Sequence, residues 1–260
     1  PVSVVRPEAA PKLLTTPAER RELLTGSGVD RVVFLRFTPE LAALSAREFV
    51  ETVLVDQFGL GHLVVGHDHG LGRGRSGDVE ALRGFGRELG FDVEVVEAEM
   101  LDGVPVSSTR IREALAEGDV REAARALGRP YSLRGEVVRG EGKGRELGFP
   151  TANLRVDDPD KLLPREGIYA VCARLAGGEP RRGVLHLGPR PTFEDLPETI
   201  ELHLLDLSDR DLYGTTVEVE FREWIRPIKA FGSVEDLIAA LEEDCARARE
   251  LLREAGACQG

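Results

Sequence analysis

Apolar and polar positions follow two different rhythms along this chain. From Pro17 to about Gly128, stretches with helical spacing exchange with short apolar runs. AERRELL (18–24) reads as a helix, RVVFLRF (31–37) as a strand and ALSAREFVETVLV (43–55) as a helix. HLVVG (62–66) is a strand, DVEALRGFGRELG (78–90) a helix and FDVEVVEAE (91–99) a strand. SSTRIREALAEG (107–118) and DVREAARALG (119–128) close the series as two helices. Alternation of this kind predicts a parallel sheet flanked by helices, with ligands bound at the carboxyl ends of its strands.

After Arg129-Pro130 the rhythm changes. SLRGEVVRG, GIYAVCARL, RGVLHLG, TIELHLLDL and TVEVEF follow one another with Gly, Pro and Asp between them and no intervening helix. Short strands in that order predict a small antiparallel β-barrel. A last helix begins near Ser233, with Asp236 placed as in a capping box and Leu237, Leu241, Cys245, Ala248 and Leu252 as its packing stripe. The expected architecture is α/β over residues 1–128, followed over 129–260 by the barrel and its C-terminal helix.

Composition narrows the chemistry. Apolar content of 42% with 31% charged residues fits a globular metabolic protein. No apolar run approaches the roughly 20 residues of a membrane span. A net charge of −12 argues against a nucleic-acid partner but leaves phosphorylated small molecules open, since these need only a local cluster of donors. Cys172, Cys245 and Cys258 lack metal-type spacing and read as buried or incidental thiols in a cytoplasmic protein.

The stretch GEGKGRELGFPTANL, Gly140 to Leu154, carries the first candidate site. Gly140, Gly142, Gly144 and Gly148 let backbone N–H groups approach a ligand, and Lys143 and Arg145 add charge that a polyphosphate attracts. It is no Walker loop, because Gly-Lys-Ser/Thr and a strand-to-helix setting are both missing. Pro150 stiffens the entry to a strand on which Thr151 and Asn153 share one face. Their two side-chain oxygens suit magnesium, a hard cation that is commonly shared with substrate phosphates. The same residues also make an ordinary glycine-rich hairpin in which Thr151 and Asn153 bond their own turn. The stretch alone does not separate the two readings. In TIELHLLDL, Glu201 and His203 share one face while Ile200, Leu202 and Leu204 share the other. Phosphoryl transfer to an alcohol needs one carboxylate to take or orient the hydroxyl proton, and Glu201 is the candidate.

Several separated blocks resemble one family. GRELGFPTANL is similar to the Pro-Thr-Ala-Asn signature of riboflavin kinases. GVLHLGPRPTF, IELHLLDLSDRDLYG and FREWIRPIKAFGSVEDLIAALEEDCARAREL resemble its later blocks. The resemblance implies that Thr151 and Asn153 bind magnesium-ATP and that Glu201 is the base for the ribityl 5′-hydroxyl. It also implies that Arg226 and Phe231 lie near the flavin. His186 stands where the family often has Asn and is left out of the site.

In bacteria this kinase is commonly fused behind an FMN adenylyltransferase, and residues 1–128 resemble that partner through VVGHDHGLGRGRSGD and VSSTRIREAL. That resemblance implies nucleotide binding by Asp68, Ser107, Ser108, Thr109 and Arg112. Asp68 follows a strand end, and the Ser-Ser-Thr run opens a helix, although it also suits an ordinary N-cap. His62, His67 and His69 lack an obvious fourth ligand for zinc. The family's His-x-Gly-His block is absent, so the chain is expected to lack the amino-terminal part of that domain. It would then make FMN from riboflavin and ATP without FAD, and its first half would be poorly packed or aggregation-prone in isolation. Two alternatives stay open: a flavin-binding module without turnover, and a different nucleotidyltransferase whose barrel is structural.

Overall fold

The structure, a computed structural model, describes residues 10–140, 143–189, 199–207, 211–254, 256 and 258, with the backbone alone at Lys143. The chain forms two compact units: Pro1–Lys12 with Pro17–Val106, and Leu13–Thr16 with Ser107–Gly260.

The first unit contains α1 (Pro17–Thr25), α2 (Pro39–Ala43), α3 (Ala46–Phe49), β1 (His62–Gly66), α4 (Val79–Leu89), β2 (Asp92–Val96), β3 (Met100–Leu101) and β4 (Val104–Pro105). As expected, β1 and β2 pair in parallel, with His62 opposite Asp92, and a helix connects them. Asp78 caps α4 by accepting from Ala81 N at 2.9 Å, and Gly90 ends it in the left-handed region that glycine favours. Leu82 of α4 packs with Val50, Val65 and Phe91 as the unit's core.

Two expectations are corrected here. RVVFLRF is no strand: residues 31–37 join no ladder, and Val33, Phe34 and Leu35 are exposed. Strand propensity describes packing against neighbours, and this run has no paired neighbour among the described residues. The single helix over 43–55 is broken at Leu44, which is extended. Ser45 starts α3 through a reciprocal capping box with Glu48, and the chain continues as a π-helical turn, Val50–Val55. The Asp102-Gly103 hairpin between β3 and β4, with both residues at positive φ, was legible as a turn dipeptide but was not anticipated.

The second unit starts earlier than the change of rhythm at residue 128. It takes in α5 (Ser108–Glu117) and α6 (Val120–Leu127). Arg165 N donates to Leu115 O at 2.8 Å, Arg121 pairs with Glu223, and Trp224 packs beside Gly118. A short amino-terminal strap joins it as well. Leu13 N donates to Asp160 O at 2.7 Å, and the buried Lys161 donates its Nζ to Leu14 O at 2.9 Å.

The strands β5 (Ser132–Val138), β6 (Ala152–Val156), β7 (Gly167–Leu175), β8 (Pro180–Gly188), β9 (Thr199–Leu204) and β10 (Thr216–Arg226) close into a barrel in the order β10-β5-β6-β9-β8-β7. A one-turn helix, α7 (Lys143–Glu146), interrupts what the sequence presented as a flexible glycine loop. Inside the barrel lie Leu133, Tyr169, Leu185, Leu202, Val219 and Phe221, with Tyr169 set edge-on to Phe221 at 5.1 Å. β7 is buried on both faces because α8 (Val234–Glu254) covers its outer one. There Ile168, Ala170, Cys172 and Val184 meet Cys245, Ala248, Leu251 and Leu252. Ser233 caps α8 as expected, accepting from Asp236 N at 3.1 Å.

The stripe on α8 hides one acid. Asp244, 2% exposed, holds the Arg226 guanidinium through two bonds of 2.8 and 2.7 Å. The reading of the cysteines as thiols is also corrected. Cys172 and Cys258 form a disulfide that ties the end of the chain to β7, and Cys245 stays free and buried in the same cluster. The partners lie 86 positions apart, so only the fold brings them together. Closing so long a loop restricts the unfolded chain, and reduction is expected to lower the unit's stability by roughly 2–4 kcal/mol. Urea melts with and without a thiol reductant measure this, and coincident midpoints would contradict it.

Candidate active site

Antiparallel pairing of β6 with β9 sets Asn153 opposite Glu201 and Ala152 opposite Leu202. The side chains of Thr151, Asn153, Glu201 and His203 therefore fall on one face, the outer face of the barrel, while Ile200, Leu202 and Leu204 turn inward. Thr151 Oγ1 donates to Glu201 Oε2 at 3.2 Å, and Thr199 Oγ1 donates to Oε1 at 3.3 Å. The threonine, the asparagine and the carboxylate are thus brought together, as the sequence predicts. Thr199, two positions before Glu201 on the same face, was missed.

The row continues around the barrel. Glu201 stands opposite His186, His186 opposite Ile168, and Ile168 opposite Arg226. Three steps is half the way round this six-stranded barrel, so Arg226 and Glu201 stand on strands at opposite positions of its wall. The Arg226 guanidinium lies 5.7 Å from the Phe231 ring while gripping Asp244, so the two residues assigned to the flavin touch each other.

The glycine loop is packed onto the same strand entry. An added Cβ at Gly140 would lie 2.0 Å from Asn153 Nδ2, and one at Gly144 would lie 3.1 Å from Thr151 Oγ1. Only glycine lets the loop approach these side chains so closely. Arg145 is exposed and lines a small cavity of about 60 Å³ with Val137, Pro150, Thr151 and Tyr213. A larger cavity, about 530 Å³, also borders Pro150 and is lined by Phe149, His203, Leu205, Glu242 and Arg249. Gly142, the side chain of Lys143, and residues 190–198 and 208–210 of the quoted blocks lie outside the described residues.

The donor set suits a hard cation delivered with a nucleotide. The hydroxyl of Thr151 and the amide oxygen of Asn153 would offer a cation two neutral oxygens beside one carboxylate. Among the described residues no group of three or more His, Cys, Asp or Glu could hold a metal. Magnesium needs only one or two protein oxygens when phosphates and water complete its shell.

The residues assigned to the second nucleotide site fall in different units. In the first unit, Asp68 is exposed just beyond the end of β1, where its carbonyl accepts from Arg75 Nη2 at 2.6 Å. In the second, Ser107 caps α5 by accepting from Arg110 N at 3.2 Å, which is the ordinary capping role. Ser108 and Thr109 are exposed in its first turn, and Arg112 Nη1 donates to Ser108 O at 3.1 Å.

Comparison with known proteins places the chain in a family. The family model for riboflavin kinase matches residues 127–252, and that for FAD synthetase matches residues 1–110. The bifunctional riboflavin kinase/FMN adenylyltransferase of Escherichia coli K12 is 38% identical over 250 residues, covering 96% of this chain and 79% of that protein. The protein of the same name from Pseudomonas fluorescens is 41% identical over 246 residues, covering 94% and 78%. A crystal structure named as a macrolide-efflux protein from Streptococcus pneumoniae superimposes with a TM-score of 0.81 at 32% identity, covering 91% of this chain and 75% of that one. Shared sequence over nearly the whole chain leads to one conclusion: this chain belongs to the bifunctional riboflavin kinase/FMN adenylyltransferase family.

Proposed function

We propose that the second unit transfers the γ-phosphoryl group of ATP to the 5′-hydroxyl of riboflavin, giving FMN and ADP. The observation that carries this reading is the 3.2 Å contact between Thr151 Oγ1 and Glu201 Oε2, with Asn153 directly across the ladder. That contact is long for an O–H···O bond, so a substrate hydroxyl can displace the threonine and present its proton to the carboxylate. Glu201 then orients the hydroxyl and accepts its proton as the new P–O bond forms and the bond to the ADP oxygen breaks. Thr151, Asn153 and the backbone of Gly142 and Gly144 hold the triphosphate, and Lys143 and Arg145 offset its charge. Thr151 and Asn153 would hold a magnesium ion brought with the nucleotide, and its charge would help neutralise the transferring group. Arg226 and Phe231, whose guanidinium and ring lie 5.7 Å apart, are assigned to the flavin ring on the family resemblance.

For residues 1–110, the match to FAD synthetase supports the family's second activity, adenylylation of FMN to FAD. The expectation that this chain lacks it is checked by looking for FAD after incubation with riboflavin, ATP and magnesium. No observation favours transport as a second reading. Among the described residues no helix is long and apolar enough to cross a membrane.

Incubation with riboflavin, ATP and magnesium, followed by chromatography, is expected to yield FMN; riboflavin recovered unchanged would refute the reading. Glu201→Gln keeps the size of the side chain but removes the base. It is expected to lower kcat by roughly 10²–10⁴-fold with little change in KM for either substrate. An unchanged kcat would remove Glu201 from the chemistry. Gly140→Ala is expected to displace the Asn153 side chain, because the new methyl would stand 2.0 Å from its nitrogen. Initial rates should show KM for magnesium-ATP rising about tenfold, the equivalent of one weakened polar contact to the nucleotide–metal complex. Wild-type affinity in that variant would contradict the assignment of Asn153.

A further inference from the structure

His203 has no part in the transfer just described, yet two contacts and its place on the ladder set it at the junction of the glycine loop and β6. Its Nδ1 lies 2.9 Å from the carbonyl oxygen of Pro150. A carbonyl only accepts, so Nδ1 carries the proton and donates. Its ring meets that of Phe149 edge-on, 5.7 Å between centroids and 62° between planes. On the β6–β9 ladder, one step beyond the Ala152–Leu202 pair, it is aligned with Thr151.

We propose that His203 is a positioning residue for the donor-phosphate loop, one that fixes Thr151 and the loop before nucleotide arrives. Three consecutive residues are tied in turn. Phe149 N donates to Gly144 O at 2.8 Å, Pro150 O accepts from His203, and Thr151 Oγ1 donates to Glu201. Pro150 has no N–H, so its carbonyl is the one main-chain polar group by which the ladder can grip it. Gly144 lies so close that an added Cβ would stand 2.4 Å from Phe149 O, and movement at Phe149 or Pro150 is therefore passed to the loop. His203 and Glu201 extend from one strand on the same face, so β9 sets the base and the donor loop in a single register. Displacements of about 1 Å at such a site can cost a hundredfold in rate.

The inference deepens the kinase reading, and its test has a readout that needs neither substrate. In His203→Asn the amide N–H stands close to the place of Nδ1 and keeps the donor; in His203→Leu it is lost. Without nucleotide, amide hydrogen exchange across residues 143–151 is expected to rise about tenfold in His203→Leu and to stay at the wild-type rate in His203→Asn. In turnover, His203→Leu is expected to raise KM for magnesium-ATP about tenfold while KM for riboflavin holds, and His203→Asn to restore both. If His203→Leu melts early, His203→Gln, whose amide is one bond too long for the site, carries the same expectation. Wild-type exchange in the leucine and glutamine variants would overturn the proposal, as would an asparagine variant no better than leucine. Failure to phosphorylate riboflavin would sink the kinase reading and leave the exchange result standing.

Discussion

The register of one antiparallel ladder governs everything else in the second unit. Because Asn153 pairs with Glu201, the metal-binding candidates and the base candidate share a face and a level. A slip of one residue would carry Glu201 into the apolar interior and bring Leu202 to the surface. That slip is prevented from inside, where Leu154, Leu185, Leu202 and Leu204 are buried. The packing of the core therefore sets the chemistry on the outside. From the same register, the row runs through His186 and Ile168 to Arg226.

Around that ladder the outer face divides between sealing and binding. α8 covers β7 with apolar side chains and adds two fastenings: the Arg226–Asp244 pair and the Cys172–Cys258 bond. Burying Asp244 as an ion would be costly alone, and the two-pronged guanidinium compensates it. Arg226 thereby fastens the helix to the end of β10. Past the edge of that apolar seal, the face holds His203, Thr151, Glu201 and Asn153, which are only partly buried.

Much of this was legible because the relevant signals are local. Alternation in TIELHL gave the two faces of β9, and Pro150 followed by Thr-Ala-Asn gave the strand entry on which the oxygens align. Ser233 and the Leu237-to-Leu252 stripe gave the covering helix, although Asp244 sits within that stripe and took its partner from β10. What escaped depends on tertiary partners. RVVFLRF has strand composition but no paired neighbour among the described residues. The cysteine pairing spans 86 positions. The grip of His203 on Pro150 joins residues 53 apart, through an atom that every residue type carries. The break at Leu44 was written in the Ser45–Glu48 capping box, where an apolar run on both sides masked it.

The central claim is that Thr151 and Glu201 act as a coupled pair on one transferred phosphoryl group. A double-mutant cycle on kcat/KM, comparing Thr151→Ala, Glu201→Gln and the double variant with the wild-type chain, measures that coupling directly. The account predicts an interaction of roughly 0.5–3 kcal/mol, with the double variant less impaired than the product of the single effects. Additive losses, to within about 0.5 kcal/mol, would show two independent residues and contradict it.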